Sequence, residues 1–182
     1  MSWWSDAKTE PYRQFRFQVQ FGALGVDKYH VMKVDKPMFK VGEYNHKIFN
    51  HQVNFPGRLV WDPVTITVVD MPGASGAQSK LMAAVKASGY GGLAGGSTNT
   101  DGLSKYSATA ALGTITITQM KSAQATGANG THAAGDSWKL KNAFLTDVKF
   151  GSLDYGSEDA GQITMTIRYD WAEMGANPVP QQ

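Results

Sequence analysis

Four histidines, His30, His46, His51 and His132, are the side chains in this 182-residue sequence best suited to metal or acid–base work. A helical zinc site needs two histidines four apart with a glutamate between them, and no such HExxH spacing occurs. His46 and His51 lie five apart, on opposite faces if they share one strand, so they do not predict a joint metal site. The run GYGGLAGGSTNTDG, Gly89 to Gly102, has glycines enough to cradle phosphate but lacks the terminal GK[ST] of a phosphate loop. Its glycines also miss the GxGxxG spacing of a dinucleotide site, so it reads as a surface loop. There is no GxSxG nucleophile elbow, and Glu158-Asp159 falls in a turn region rather than opposite a second carboxylate. With no cysteine, disulfides, thiol catalysis and cysteine metal sites are excluded. The sequence offers no catalytic, metal or cofactor-binding residues, and the expectation is a protein that is not an enzyme.

The composition is that of one folded domain over residues 1–182, 42% hydrophobic and only 18% charged. A formal net charge of +2 without a Lys/Arg run gives no basic footprint for gripping nucleic acid. MSWWSDAKTE has no apolar core of a secretory signal, and no stretch is long and apolar enough for a membrane helix. The expectation is a protein made inside the cell with no membrane anchoring.

The polar pattern belongs to strands. In RQFRFQVQF, Phe15, Phe17, Val19 and Phe21 alternate with Gln14, Arg16, Gln18 and Gln20. VTITVV sets Val64, Ile66 and Val68 against Thr65 and Thr67, in β-branched residues that favour extended backbone. Ile115 and Ile117 alternate with Thr114, Thr116 and Thr118. Ile163 to Trp171 sets Ile163, Met165, Ile167, Tyr169 and Trp171 against Thr164, Thr166, Arg168 and Asp170. Further strands are expected over Asp27 to Lys36 and, as one or two pieces, over Trp138 to Phe150. Ser75 with Gln78 makes a capping-box pair, and Ala77, Leu81, Val85 and Ser88 form one stripe, so a single helix is predicted from about Ser75 to Ser88. The sum is a mainly β (α+β) fold: an antiparallel barrel or sandwich of six or seven strands, one amphipathic helix and a long β arm. Residues 1–12 read as a loose N-terminal arm, 89–110 and 121–136 as flexible loops, and 175–182 as a loose C-terminus.

The arm lies in the stretch from Lys36 to Asp70, ahead of the VTITVV strand, with Val41 to Phe55 as its apolar part. Tyr44, Ile48, Phe49, Val53 and Phe55 are interleaved there with Asn, His and Gln, and Pro56-Gly57 interrupts it. A monomer gains little by exposing such side chains, whereas an assembly can bury them, so these five are the candidate subunit interface. Trp3 and Trp4 are candidate anchors for a neighbouring ring. Gln18, Thr65, Thr67, Thr114, Thr116, Thr164 and Thr166 together would make a neutral, water-lined wall, the candidate lumen face. Because phosphate contacts dominate affinity for nucleic acid, such a wall would let DNA pass without holding it.

FPGRLVWDPVTITVVD, with the arm before it and the helix after it, resembles the tail tube proteins of contractile-tailed bacteriophages. The closing LKNAFLTDVKFGSLDYGSEDAGQITMTIRYDWAEM, with its Tyr169, Asp170 and Trp171, is similar to that family's last strands. The resemblance spans residues 13–88 and 138–174. It implies a structural virion protein without a cofactor, a homo-hexameric ring that stacks into a tube inside a sheath and above a baseplate. It further implies that four strands per subunit join a continuous inner barrel through which DNA passes transiently. Twenty-four strands about 4.8 Å apart and tilted by about 40° close a wall roughly 45–50 Å across, wide enough for a duplex. The loops at 89–102 and 121–136 are longer than in simple members of the family. That leaves a tube ring of a secretion or contractile injection machine as the alternative, with a ligand-binding β-sandwich as the reading from another class.

Overall fold

The computed structural model describes residues 11–27, 30–73, 76–90, 103–121, 134–156 and 158–176. Within them the chain forms two four-stranded antiparallel sheets packed face to face, a separate two-stranded hairpin and two helices. The fold is a mainly β sandwich rather than a closed barrel. The first sheet has the order β1 (Phe17–Phe21), β6 (Ile115–Met120), β7 (Ala134–Lys141), β10 (Trp171–Ala176). The second has the order β2 (Val31–Val34), β5 (Val64–Val69), β9 (Gln162–Arg168), β8 (Phe144–Lys149). β3 (Phe39–Ile48) and β4 (His51–Trp61) pair only with each other.

The alternation read in the sequence sets the core. Val19, Ile115, Ile117 and Leu140 from the first sheet meet Val64, Ile66, Val68, Ile163, Met165 and Ile167 from the second, all buried. Their β-branched side chains stand on pleated surfaces and interdigitate between the sheets. Helix α1 (Ala77–Ala87) contributes Ala77, Leu81 and Ala84 to this core, with Val85 half-buried. Its N-cap is Gly76, which makes no side-chain cap bond; Ser75 of the expected capping box lies outside the described residues.

Several boundaries differ from expectation. The first strand begins at Phe17, so Phe15 projects into solvent. The second is shorter than Asp27–Lys36, its ladder limited to Val31–Val34. Ile163 to Trp171 is not one strand: β9 ends at Arg168, and the chain crosses at Tyr169-Asp170 to begin β10 in the other sheet. Tyr169 stays buried, but Trp171 does not point into the core and is substantially exposed. Trp138 to Phe150 likewise breaks at Asn142, in the left-handed region at φ 54°, so that β7 and β8 join different sheets. β10 runs to Ala176, into the stretch expected to be loose.

A second helix, α2 (Lys105–Leu112), replaces the end of the expected loop at 89–110. Ser104 caps it, accepting a hydrogen bond from the Ser107 backbone N–H at 3.1 Å. Gly113 ends it at φ 67°, and its hydrogen is required: a Cβ there would lie 2.8 Å from the Ala23 backbone nitrogen. The helix anchors through Leu112, buried in the shared core.

Leu81 is fully buried between helix and sheets, so Leu81→Ala leaves a cavity. The expected loss is about 2–4 kcal/mol. A calorimetric or circular-dichroism melt of the variant should show a thermal midpoint several degrees lower, and an unchanged midpoint would refute this placement.

Candidate assembly interface

The expected arm is present, but it satisfies its own backbone. β3 and β4 form a long hairpin in which Ile48 pairs with His51, Lys47 with Gln52, His46 with Val53, Asn45 with Asn54 and Tyr44 with Phe55. The turn at Phe49-Asn50 lets the arm pair with itself. What is left unsatisfied is a side-chain face. Cross-strand partners project to the same side, so Tyr44, Ile48, Val53 and Phe55 share one face of the hairpin with His46 and His51. Asn45, Lys47, Gln52 and Asn54 occupy the other face, where Gln52 donates to Asn54 at 3.0 Å. The hairpin is thus amphipathic, with its apolar face largely exposed. Tyr44, Ile48 and Phe55 are about half exposed or more, Val53 is half-buried, and Tyr44 and Phe55 lean together at 6.4 Å. His46 and His51 consequently lie on the same face and not on opposite ones, because the turn reverses the count. Among the described residues no three His, Cys, Asp or Glu side chains gather as a metal site.

At the tip, Phe49 takes φ 49° and is fully exposed. Glycine or asparagine adopts this conformation cheaply, whereas a bulky side chain there costs of order 1–3 kcal/mol. The hairpin bends midway, where the register shifts between Val41 and Glu43. Gly57 allows this approach: a Cβ on it would stand 2.9 Å from the Gly42 backbone. Pro56 stays in register with Glu43, and Gly57-Arg58 opposite Gly42 is the bulge within β4.

The root of the hairpin is fixed to the sandwich. Trp61 packs edge-on to Phe39 at 5.2 Å and lies 5.8 Å from the ring of Tyr169. Lys40 and Asp62 form an ion pair at 2.9 Å, and the Asp62 N–H donates to the Met38 carbonyl. Burial, and next the Asp62 carboxylate, push the Tyr169 phenol up to about 12, while the nearby Met38 backbone works against part of that rise. Beside it, Asp170 is held by Lys105 at 2.7 Å and by the Asn142 amide at 2.8 Å, which tie α2 to the crossover between the sheets. The Lys105 ammonium chiefly, and then Asn142, lower the Asp170 carboxyl below its ordinary value.

The candidate lumen residues do not form one wall. Gln18 and Thr116 lie on the outer face of the first sheet, whose neighbours include Lys139. Thr65, Thr67, Thr164 and Thr166 lie on the outer face of the second, with the Thr67 and Thr164 hydroxyls 3.5 Å apart. The two faces point away from a common core, because each sheet buries its apolar side. Thr114 precedes β6 and is exposed beside the α2 turn. Trp3 and Trp4 lie outside the described residues.

No family model matches the sequence, and no curated protein matches it. Solved structures do. A chain from the PVC sheath/tube terminator of an extracellular contractile injection system aligns over 93% of this chain and 100% of its own, with TM-score 0.64 and 20% identity. A chain from the PVC sheath-tube complex covers 97% and 99%, with TM-score 0.62 and 20% identity. One from the tube-terminating cap of the anti-feeding prophage covers 94% and 95%, with TM-score 0.61 and 18% identity. The tail-tube resemblance of the sequence is thus matched by the fold, which is the one found in contractile tube assemblies.

The depressed Asp170 carboxyl gives a pH prediction. A carboxyl whose folded value lies below its unfolded one adds stability above the ordinary 3.8, and that stability disappears as pH falls through the folded value. Lys105→Met is expected to cost about 0.2–1 kcal/mol at neutral pH, since the pair is partly exposed. In urea melts, the gap between variant and parent should close below pH 3.8. A gap that persists there would show that Lys105 acts by packing.

Proposed function

We propose that this chain is the ring-forming subunit of the tube of a contractile machine, built from homo-hexameric rings stacked inside a sheath and over a baseplate. The observation that carries the reading is the hairpin: a self-paired, amphipathic element with Tyr44, Ile48 and Phe55 on one exposed face and a strained Phe49 at its tip. Exposed apolar faces of this kind mark interaction surfaces, and backbone strain persists where the side chain it displays is used. The fold supports the same reading. Its matches come from injection systems, which favours a tube ring of an injection machine over the phage tail tube implied by the sequence resemblance. In a phage the passing cargo would be DNA, the setting a virion and the event DNA ejection into a host; in an injection machine the cargo is of another kind. Little favours a ligand-binding sandwich in the cleft lined by Val60, Trp61 and Phe144, which at about 290 Å³ is open rather than enclosed.

Ile48→Asp combined with Phe49→Asp places two carboxylates where the assembly would bury them, a strongly unfavourable burial. Light scattering and negative-stain microscopy should show rings and tubes lost while circular dichroism shows an intact monomer. Polymers from this variant would refute the hairpin as the assembly element.

The lumen can be assigned by single substitutions. Only one sheet can face inward, so Thr116→Lys and Thr166→Lys should differ: one adds a ring of positive charge to the channel, and the other alters the outside. The expected result is slower passage of an anionic cargo in one variant only. Equal effects would refute a Thr-lined channel.

A further inference from the structure

The β8–β9 hairpin carries complementary features at its two ends. At one end, the loop between the strands raises Leu153 and Tyr155, both fully exposed, on either side of Asp154. Asp154 accepts a hydrogen bond from the Gly156 N–H at 2.9 Å, which shapes the tip. At the other end, Phe144 pairs with Arg168, and these residues, with Val60, Trp61 and Tyr169, line the cleft at the hairpin root. The cleft has an apolar wall and an exposed guanidinium that makes no ion pair among the described residues. Its acid, Asp170, is already taken by Lys105 and Asn142, so the free charge in the cleft is positive.

We infer that the Leu153-Asp154-Tyr155 tip of one copy seats in the root cleft of the next, with Asp154 on Arg168 and Tyr155 against Trp61 and Val60. The chemistry is matched: an acid flanked by apolar side chains meets a cation flanked by an apolar wall. The tip cannot fill the cleft of its own chain. β8 has 6 residues and β9 has 7, and they separate the two ends by about 20 Å. Tip and cleft lie at opposite ends of one rigid strand pair, so the contact is head-to-tail and repeats along the strand direction, as a heterologous contact must. This rests on the tube reading and gives it an axial element, distinct from the Tyr44, Ile48 and Phe55 face of the β3–β4 hairpin.

The absence of cysteine permits a clean test. Tyr155→Cys together with Val60→Cys in the full chain should yield, on mild oxidation, a ladder of covalent multimers, whereas each single variant stops at dimers. Separately, Asp154→Arg and Arg168→Asp should each abolish sedimentable polymer, and the two together should restore most of it. Restoration also shows that the single variants did not merely unfold. No ladder, or no rescue, overturns the contact. Microscopy of the same samples separates this inference from the ring reading. Rings without a ladder leave the ring and remove the contact; a ladder of open filaments without rings keeps the contact and removes the ring.

Discussion

Trp61 stands where an exposed hairpin meets a buried core, and the exterior of the molecule depends on that junction. On one side its indole packs against Phe39 across the hairpin, and on the other it faces Tyr169, which leaves the end of β9 as the chain changes sheets. An isolated two-stranded hairpin is marginal in water. Here the root is clamped by aromatic packing and by the Lys40–Asp62 pair, so the strands beyond it project as one element. The crossover is braced in turn by Lys105 and Asn142 on Asp170. Hairpin, crossover and α2 therefore share one anchor.

That arrangement separates stability from interaction. None of the fully buried side chains of the sandwich comes from β3 or β4, and of the hairpin only Trp61 packs against the core. The hairpin is free to carry an apolar face that contributes nothing to the monomer's core. Phe49 shows the same separation at one residue: its conformation is unfavourable for the subunit, and its side chain touches solvent. This surface is carried on a fold shared with chains of contractile injection assemblies at 18–20% identity.

The two threonine faces show how an accurate strand reading can still mislead about a site. Each face was legible: β-branched residues alternating apolar and polar define a half-buried strand wherever it lies. Alternation does not say which strands are neighbours. β1 and β6 went to one sheet and β5 and β9 to the other, so residues gathered as one wall lie on opposite sides of the molecule.

The core strands, α1 and the apolar excess of the hairpin were determined by the sequence, because they rest on periodicity and composition, which are local. Helix α2 left a weaker trace, a capping serine before KYSATAAL, and its few apolar positions hid it in a loop-like stretch. The sheet assignments, the pairing of the arm with itself and the break at Tyr169-Asp170 were decided only by tertiary structure. A turn of two residues reverses the face count, as it does for His46 and His51, and a single crossover sends one apparently continuous strand into two sheets. The cleft at the hairpin root gathers residues from β4, β8 and the β9–β10 crossover, more than eighty positions apart in sequence. No local pattern can encode such a site, because it exists only where the packing of two sheets brings distant residues to one corner.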